Sequence, residues 1–510
     1  MAENSKPQGE NARANAVGAP KSSAVVRPVR RRFLRATRYD ATRPESDLDR
    51  FWSGADSRSV DASLDPETRR KLRERARYEV ANNCCATGLG LTIANAVVGS
   101  GPRLQIVDAA DRGFNKRVEW EFCEWSEEIR LAEKLRAMRF ARYQDGESFA
   151  ILCNNPGLRG RIKLDVVPLD AERVCADYYR SDPRDVDGIT LDDFGAPVSY
   201  RVATTHPGDL GFDPDRFGTP RRRSASYIDD ARVYDAKDVV HWFRRVAPEQ
   251  HRGAPEIAPA LRLFALLRRY TLAVVTAAEV AADMAVVLTT DGIGGESSAF
   301  GEEELGPLAP YETVPIGRGV MTVLDDGFTA QQLKAEQPTT TYGDFKRELL
   351  GEIGRALQVP VNLVTGDSSK HNYASGRLDC QEFHKTVRLD QQTAGIAVMR
   401  PIFYAWFEEY AALERAQGRQ VPKRPVVAFQ WDGFEHVDPV KEANAQAIRL
   451  RSMATTLADE YAKMGRDWED ALIQRKRELD KMRELGLTPE DAAPPADEEE
   501  EEEDDETKAR

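Results

Sequence analysis

The chain has 510 residues, 41% hydrophobic and 31% charged, which is enough to bury cores in roughly two to four domains. Its net charge is −13, but residues 497–506 are an unbroken run of ten acids, so the rest is close to neutral. That balance does not advertise tight nonspecific DNA binding, which needs many phosphate contacts. Six cysteines without a CxxC pair argue for reduced, buried thiols rather than a disulfide framework.

Residues 1–45 are rich in Ala, Ser, Pro, Asn and Arg and have too little apolar surface to pack, so they read as a disordered basic arm. Its Arg30-Arg31-Arg32 stretch superficially matches an export signal, but no apolar run follows, which rejects export. Asp65-Pro66-Glu67 is a helix N-terminus, and the helical pattern runs on to Val98, where Gly99-Ser100-Gly101-Pro102 stops it. A second helix is predicted over 117–142. From Phe149 to His241 the pattern changes to short apolar runs, FAILCNN, IKLDVVPL, SYRVATT and DVVHWF, separated by turn residues; these are strands of a mixed or antiparallel sheet. Residues 207–227 read as a long exposed loop.

The segment 252–288 is the longest helical pattern. Pro255 suits a first helical turn, no Gly follows Gly253, and Pro259 is the last proline. Apolar side chains recur at helical spacing through Ile257, Leu261, Phe264 and Leu267, then Val274, Val275, Ala278 and Ala282. Such a helix is roughly 45 Å long at 1.5 Å per residue. A membrane span fails, because Glu279 and Asp283 fall in its most apolar window and each acid near a bilayer centre costs about 2.5–3.5 kcal/mol. A buried core helix and a strut packed against copies of itself both remain open.

An acidic, Gly-rich excursion follows over 291–310, then strand-like runs at 312–316 and 319–324. A helix over 342–357 places Phe345, Leu349, Ile353 and Leu357 on one face and ends before Pro360. The polar loop 366–376 leads into a long helix over 377–416 with a bend at Pro401. A strand at VVAFQW, a cap at Asp438-Pro439 and helical sequence to about Leu485 precede a disordered acidic tail.

Motifs for chemistry are sparse. No Gly-Lys dipeptide occurs, which excludes a Walker-type phosphate loop, and no HExxH is present. Cys380 and His384, four apart on a predicted helix, offer a metal pair or a nucleophile and base. No second ligand pair or triad partner accompanies them. We therefore expect no catalytic residues, no metal and no cofactor. The rival readings are a thiol- or metal-dependent hydrolase using Cys380 and His384, and a nucleic-acid-binding regulator using the basic arm and the C-terminal helices.

A series of landmarks resembles the lambda-family portal proteins of tailed bacteriophages. They are Tyr78-Glu79-Val80-Ala81-Asn82-Asn83 through Val98-Gly99-Ser100-Gly101-Pro102, Asp145-Gly146-Glu147, Pro168-Leu169-Asp170 and Asp238-Val239-Val240-His241. Gln250-His251-Arg252-Gly253-Ala254-Pro255 matches a Q-x-R-G-x-P turn, and Gly366-Asp367 through Asn372-Tyr373-Ala374-Ser375-Gly376-Arg377 a G-D-x-S…N-Y-S-S-x-R motif with Ala374 departing from it. Trp431 with Asp438-Pro439-Val440-Lys441-Glu442-Ala443 closes the series.

The resemblance implies an α+β portal fold with a mixed α/β wing, long stem helices, a small α/β clip and a helical crown. On this chain it divides as an arm (1–45), wing (46–254), first stem helix (255–288), clip (289–338), second stem helix (339–359), tunnel loop (360–376), wing long helix and strand (377–436), crown (437–486) and acidic tail (487–510). It implies a homo-oligomeric ring, a dodecamer, at one capsid vertex of the virion, assembled in the cytoplasm of the host bacterium. Double-stranded DNA would pass through it. Its partners would be the terminase large subunit, the head-tail connector or adaptor, and the major capsid and scaffold proteins, with no membrane. The tunnel loop would present Lys370, His371, Asn372, Tyr373, Ser375 and Arg377 to DNA. Stems would pack between subunits through Leu261, Phe264, Leu267, Val274, Ala278, Ala282, Phe345, Leu349 and Ile353.

Overall fold

The computed structural model describes residues 52–107, 111–176, 184–208, 231–282, 286–290, 328–332, 342–434 and 439–487. These fall into two compact units, Met1–Arg58 and Ser59–Arg510. The first contributes only residues 52–58, an exposed turn, and every element named here belongs to the second.

A short helix α1 (Val60–Ser63) leads to α2 (Pro66–Asn82). The Asp65 carboxylate accepts the Thr68 amide at 2.9 Å and Pro66 sits in the first turn, which is the N-terminus expected from sequence. The helix does not run unbroken to Val98. Asn83 is extended (φ −128°, ψ 111°), and its side chain accepts from the Cys85 amide to open a new helix, α3 (Cys84–Val98). A short polar side chain competes with the helical ladder, and here it becomes a cap.

After strand β1 (Arg103–Ile106), the second expected helix is also two, α4 (Arg112–Glu128) and α5 (Leu131–Asp145). They divide at Arg130, which takes a left-handed φ of 53°. Such single-residue departures leave almost no trace in apolar spacing.

The four predicted strands are present as β2 (Glu147–Asn154), β3 (Leu164–Leu169), β5 (Pro197–Ala203) and β7 (Val239–Phe243), and two further strands, β4 (Ile189–Leu191) and β6 (Ala231–Asp235), were not expected. They form two antiparallel sheets, β3-β2-β7 and β4-β5-β6. Central β2 is buried on both faces: Ala150 and Leu152 join the helical core, while Phe149 and Ile151 pack with Tyr200 and Val202 of the second sheet.

The long helix α6 is Leu261–Ala282, entered through a 3₁₀ turn at Ala258–Ala260. At 1.5 Å per residue it is about 33 Å long. The expectation that it extends to Leu288 is corrected: β8 (Val286–Thr290) pairs antiparallel with β9 (Phe328–Gln332), and its β-branched Val286, Val287, Thr289 and Thr290 suit a strand. The rest of the excursion, including the strand-like runs at 312–316 and 319–324, lies outside the described residues, as do the arm, the acidic tail and 209–230.

Helix α7 (Tyr342–Leu357) packs on α6, with Tyr270 stacked on Tyr342 (centroids 5.6 Å) and edge-on to Phe345 (4.8 Å). It ends before Pro360 as expected, and α8 (Val361–Thr365) follows. Helix α9 (Tyr373–Ala394) passes through a π turn, Gly395–Met399, into α10 (Arg400–Ala416). Pro401 has no N–H for the carbonyl four residues back, and the irregular turn falls just ahead of it.

The main core lies between α4 and α10, where the Phe122 and Trp406 rings meet edge to face at 5.3 Å. Strand β10 (Val427–Gln430) returns to pair with β1, Arg103 opposite Gln430. The C-terminal helical region is three helices, α11 (Pro439–Arg451), α12 (Leu457–Lys463) and α13 (Trp468–Leu485), each of the last two opened by its own cap, Thr456 and Asp467. The expected cap at Asp438 lies outside the described residues. The mixture of helices and antiparallel sheets is α+β, as expected.

Candidate functional site: the anchored root of the long helix

The turn that feeds α6 is held by buried charges. Glu147, the first residue of β2, has no solvent exposure. Its carboxylate accepts from Arg252 Nε at 2.9 Å and Nη2 at 2.7 Å, from the Gly253 amide at 3.0 Å, and from Arg73 of α2. His241 of β7 completes the shell, with Nε2 3.0 Å from Oε2. Burial alone would raise the Glu147 pKa, but the Arg252 charge, the His241 hydrogen bond and Arg73 hold it well below the usual carboxylate range. Burial pushes the His241 pKa down, against the pull of Glu147. Its ring lies flat between Phe149 (4.2 Å) and Phe243 (4.5 Å).

Around this centre the rest of the turn has fixed duties. Gln250 accepts from the Val246 amide at 2.8 Å and donates to the Arg252 carbonyl at 2.8 Å. His251 Nδ1 meets Asp61 of α1 at 2.7 Å.

A second cluster lies one step further along. Glu256 is shared by Arg139 (3.0 Å) and Arg142 (2.8 Å) of α5, and the same two arginines hold Asp390 of α9 at 2.8 and 2.7 Å. Burial would raise Glu256, but Arg139 and then Arg142 bring it down to about 2. Buried ion pairs add little net stability over an apolar core, yet losing one partner is costly. Their effect here is geometric: Glu147 of β2 and Arg139 and Arg142 of α5 grip the residues just before α6, and Arg73 of α2, His241 of β7 and Asp390 of α9 brace those groups. Higher up, Arg268 reaches Glu79 at 3.3 Å and lies over the Tyr78 ring.

The loop 366–376 is a closed local structure. Gly366 takes φ 66° after α8, Asp367 accepts the Ser369 amide at 2.9 Å, and Asn372 caps α9 by accepting from the Ser375 amide at 2.8 Å. Ser375 Oγ returns to the Asn372 carbonyl at 3.1 Å. Lys370 Nζ meets Asp344 of α7 at 2.6 Å, and His371 sits between Arg347 (3.3 Å) and Asp379 (3.5 Å). Arg377 is half-buried in the first turn of α9, and the Tyr373 side chain lies outside the described residues.

The residues grouped as stem packing separate into two sets. Phe264, Leu267 and Ile353 are buried in the chain's own core. Leu261, Val274 and Leu349 are half-buried, Ala278 and Phe345 are exposed, and the Ala282 side chain lies outside the described residues.

The model of the phage portal protein, lambda family, matches residues 47–391 of this sequence. The chain belongs to that family.

Its relatives include the probable portal protein of Halomonas phage phiHAP-1, 22% identical over 505 residues and covering 93% of this chain and 92% of that one. Portal protein B of Escherichia phage lambda is 23% identical over 480 residues, covering 85% and 87%. The portal protein of Escherichia phage N15 is 22% identical over 486 residues, covering 85% and 88%. Among solved structures, a chain from the virion of a native gene transfer agent particle aligns at 17% identity with a TM-score of 0.42, covering 81% of this chain and 96% of its own.

In this portal-family chain, landmarks scattered through the sequence converge. Asp145-Gly146-Glu147, His241 and the Q-x-R-G-x-P turn form one contact, although no local pattern linked them. A signal was present: Glu147 heads an apolar strand and Arg252 stands between a glutamine and a glycine-proline turn, positions poorly suited to solvated charge. Arg139, Arg142 and Asp390 were missed altogether, because a charge on a helix ordinarily reads as its wet face.

Among the described residues no hydrogen bond joins Cys380 to His384. The His384 ring is stacked on Phe434 with centroids 3.7 Å apart, and burial followed by Arg388 lowers its pKa. Among the described residues no group of three or more His, Cys, Asp or Glu side chains is placed to hold a metal, and no helix is long and apolar enough to cross a membrane.

Proposed function

We propose that copies of this chain close laterally into a twelvefold ring at one capsid vertex, through which double-stranded DNA is packaged and later ejected. The terminase large subunit and then the head-tail connector dock on it, and it contacts the major capsid and scaffold proteins during assembly in the host cytoplasm. In this reading residues 46–254 and 377–436 form the wing, α6 and α7 the stem, 289–338 the clip and α11–α13 the crown.

The observation that carries the proposal is the family match, whose span of residues 47–391 takes in the root, the strut and the loop. The surface of the strut supports lateral packing. Leu266, Leu272 and Val275 of α6 and Phe345 of α7 are 47–66% exposed, apolar side chains that a lone chain leaves wet. Nine positions put Leu266 and Val275 on opposite sides of the helix, as a strut with a neighbour on each flank requires, and Val274 is half-buried and Ala278 exposed. Phe264, Leu267 and Ile353 instead stiffen each strut from within.

Lys370, His371, Asn372, Tyr373, Ser375 and Arg377 then face the passing duplex. Few basic groups suit this task, because many phosphate contacts would hold the DNA instead of letting it slide.

Electron microscopy of the purified protein, or of the protein co-expressed with its capsid partners, tests the ring. Annular particles with a central hole are expected. Globular single copies under both conditions would sink the proposal.

A further inference from the structure

Beside the Glu256 cluster lies a cavity of about 600 Å³ between α5, α9, the β4–β5 hairpin and the end of β7. Its volume falls in the range of small-molecule sites, roughly 300–1,000 Å³. Four guanidinium groups line it, those of Arg139, Arg142, Arg244 and Arg245, against the two carboxylates of Glu256 and Asp390. Both carboxylates are already shared by Arg139 and Arg142. The two histidines in its wall are also engaged, His241 by Glu147 and His251 by Asp61.

Positive charge is therefore in excess, and one donor is left over. Arg139 places Nε on Asp390 and Nη2 on Glu256, while its Nη1 is buried with no hydrogen-bond partner. A buried orphan N–H is costly, and it marks a cluster in which guanidinium donors outnumber carboxylate acceptors. Arg244 and Arg245 continue from β7 and are exposed, with Arg245 held over the Phe243 ring at 5.6 Å. A partly enclosed cavity with surplus guanidinium charge concentrates anions, and the planar fork suits the paired oxygens of phosphate or carboxylate.

The geometry points to an oxyanion-binding site in this cavity, at the junction where α5, braced by α9, grips the root of the strut. Its ligand is a phosphoryl or carboxylate oxygen group, held by Arg244 and Arg245. The ligand is either free phosphate or an acidic side chain of a second copy, since both offer the same chemistry. This inference stands on the single chain and does not depend on the ring.

The test is a structure of the purified protein in phosphate, with thermal melting across phosphate concentrations at constant ionic strength. Arg139 and Arg142 stay intact, because their loss would strand Glu256 and Asp390; the variant is the double substitution Arg244→Ala, Arg245→Ala. A phosphate ion among the arginines, with a melting temperature that rises with phosphate and a response at least tenfold weaker in the variant, supports a free ligand. A carboxylate of an adjacent copy in the same place, lost from the cavity in the variant, supports the subunit-borne ligand. A cavity holding only water, or an occupant equally retained by the double variant, overturns the site.

Discussion

Gly146 and Gly253, 107 positions apart, lie face to face: a Cβ on Gly253 would collide with the Gly146 carbonyl, and one on Gly146 with the backbone of Ala254 and Pro255. Gly146 also has φ 92°, which an L side chain rarely adopts. Only two glycines let the end of α5 approach the α6 root closely enough for Glu147 to meet Arg252. We expect Gly146→Ala and Gly253→Ala each to destabilise the chain by about 2 kcal/mol or more. Gly88→Ala is the control, because a Cβ there meets nothing within 4 Å in an exposed helix interior, and should stabilise by about 1 kcal/mol. Denaturant midpoints of the three variants decide the matter; equal midpoints would refute the close-approach account.

Removing Glu147 leaves Arg252 and Arg73 without their shared buried carboxylate. Glu147→Ala should cost about 3–5 kcal/mol. Arg252→Lys should also be destabilising, since an ammonium cannot reproduce the fork that engages Nε and Nη2 together. A thermal melt of Arg252→Lys indistinguishable from the parent would mean that charge alone matters at this position.

Acid should loosen the root. The folded pKa of Glu256 is about 2 against an ordinary 4.5, so the folded state favours the ionised carboxylate. The resulting stability, on the order of 3 kcal/mol, is fully present above about pH 4.5 and is lost as pH falls towards 2. Glu147, also depressed, acts in the same direction. Measured between pH 6 and 2, Glu256→Gln should start less stable and show a flatter slope; an unchanged slope would assign the acid sensitivity elsewhere.

Exposed and buried positions of α6 should respond oppositely. Leu272→Asp and Val275→Asp alter exposed side chains, so single-chain stability should move by less than about 0.5 kcal/mol while ring assembly fails. Phe264 is fully buried, so Phe264→Ala should cost about 3–5 kcal/mol. Sedimentation velocity separates assembly from folding, and intact rings from both aspartate variants would place the lateral contact on another face.

Lys370→Ala and Arg377→Ala test the loop. The Lys370–Asp344 pair is exposed, so breaking it should barely affect stability, whereas the proposed channel role predicts lower DNA retention in packaged particles. Normal packaging and retention in both variants would leave loop 366–376 as a structural cap for α9.

Local chemistry was legible in the sequence because it is written locally. Strand alternation located β2, β3, β5 and β7, Asp65 and Pro360 marked helix ends, and the ordered landmarks pointed to the portal family. Tertiary structure alone decided which charges are buried, because Glu147 needs Arg252 from 105 residues away and Glu256 needs arginines 114 and 117 positions earlier. It also decided where α6 yields to β8, since a β-branched run becomes a strand only when a partner such as 328–332 lies alongside. Helical spacing shows that Phe264 and Val275 are apolar. Whether an apolar side chain faces its own chain's core or the surface depends on what the rest of the fold brings against it.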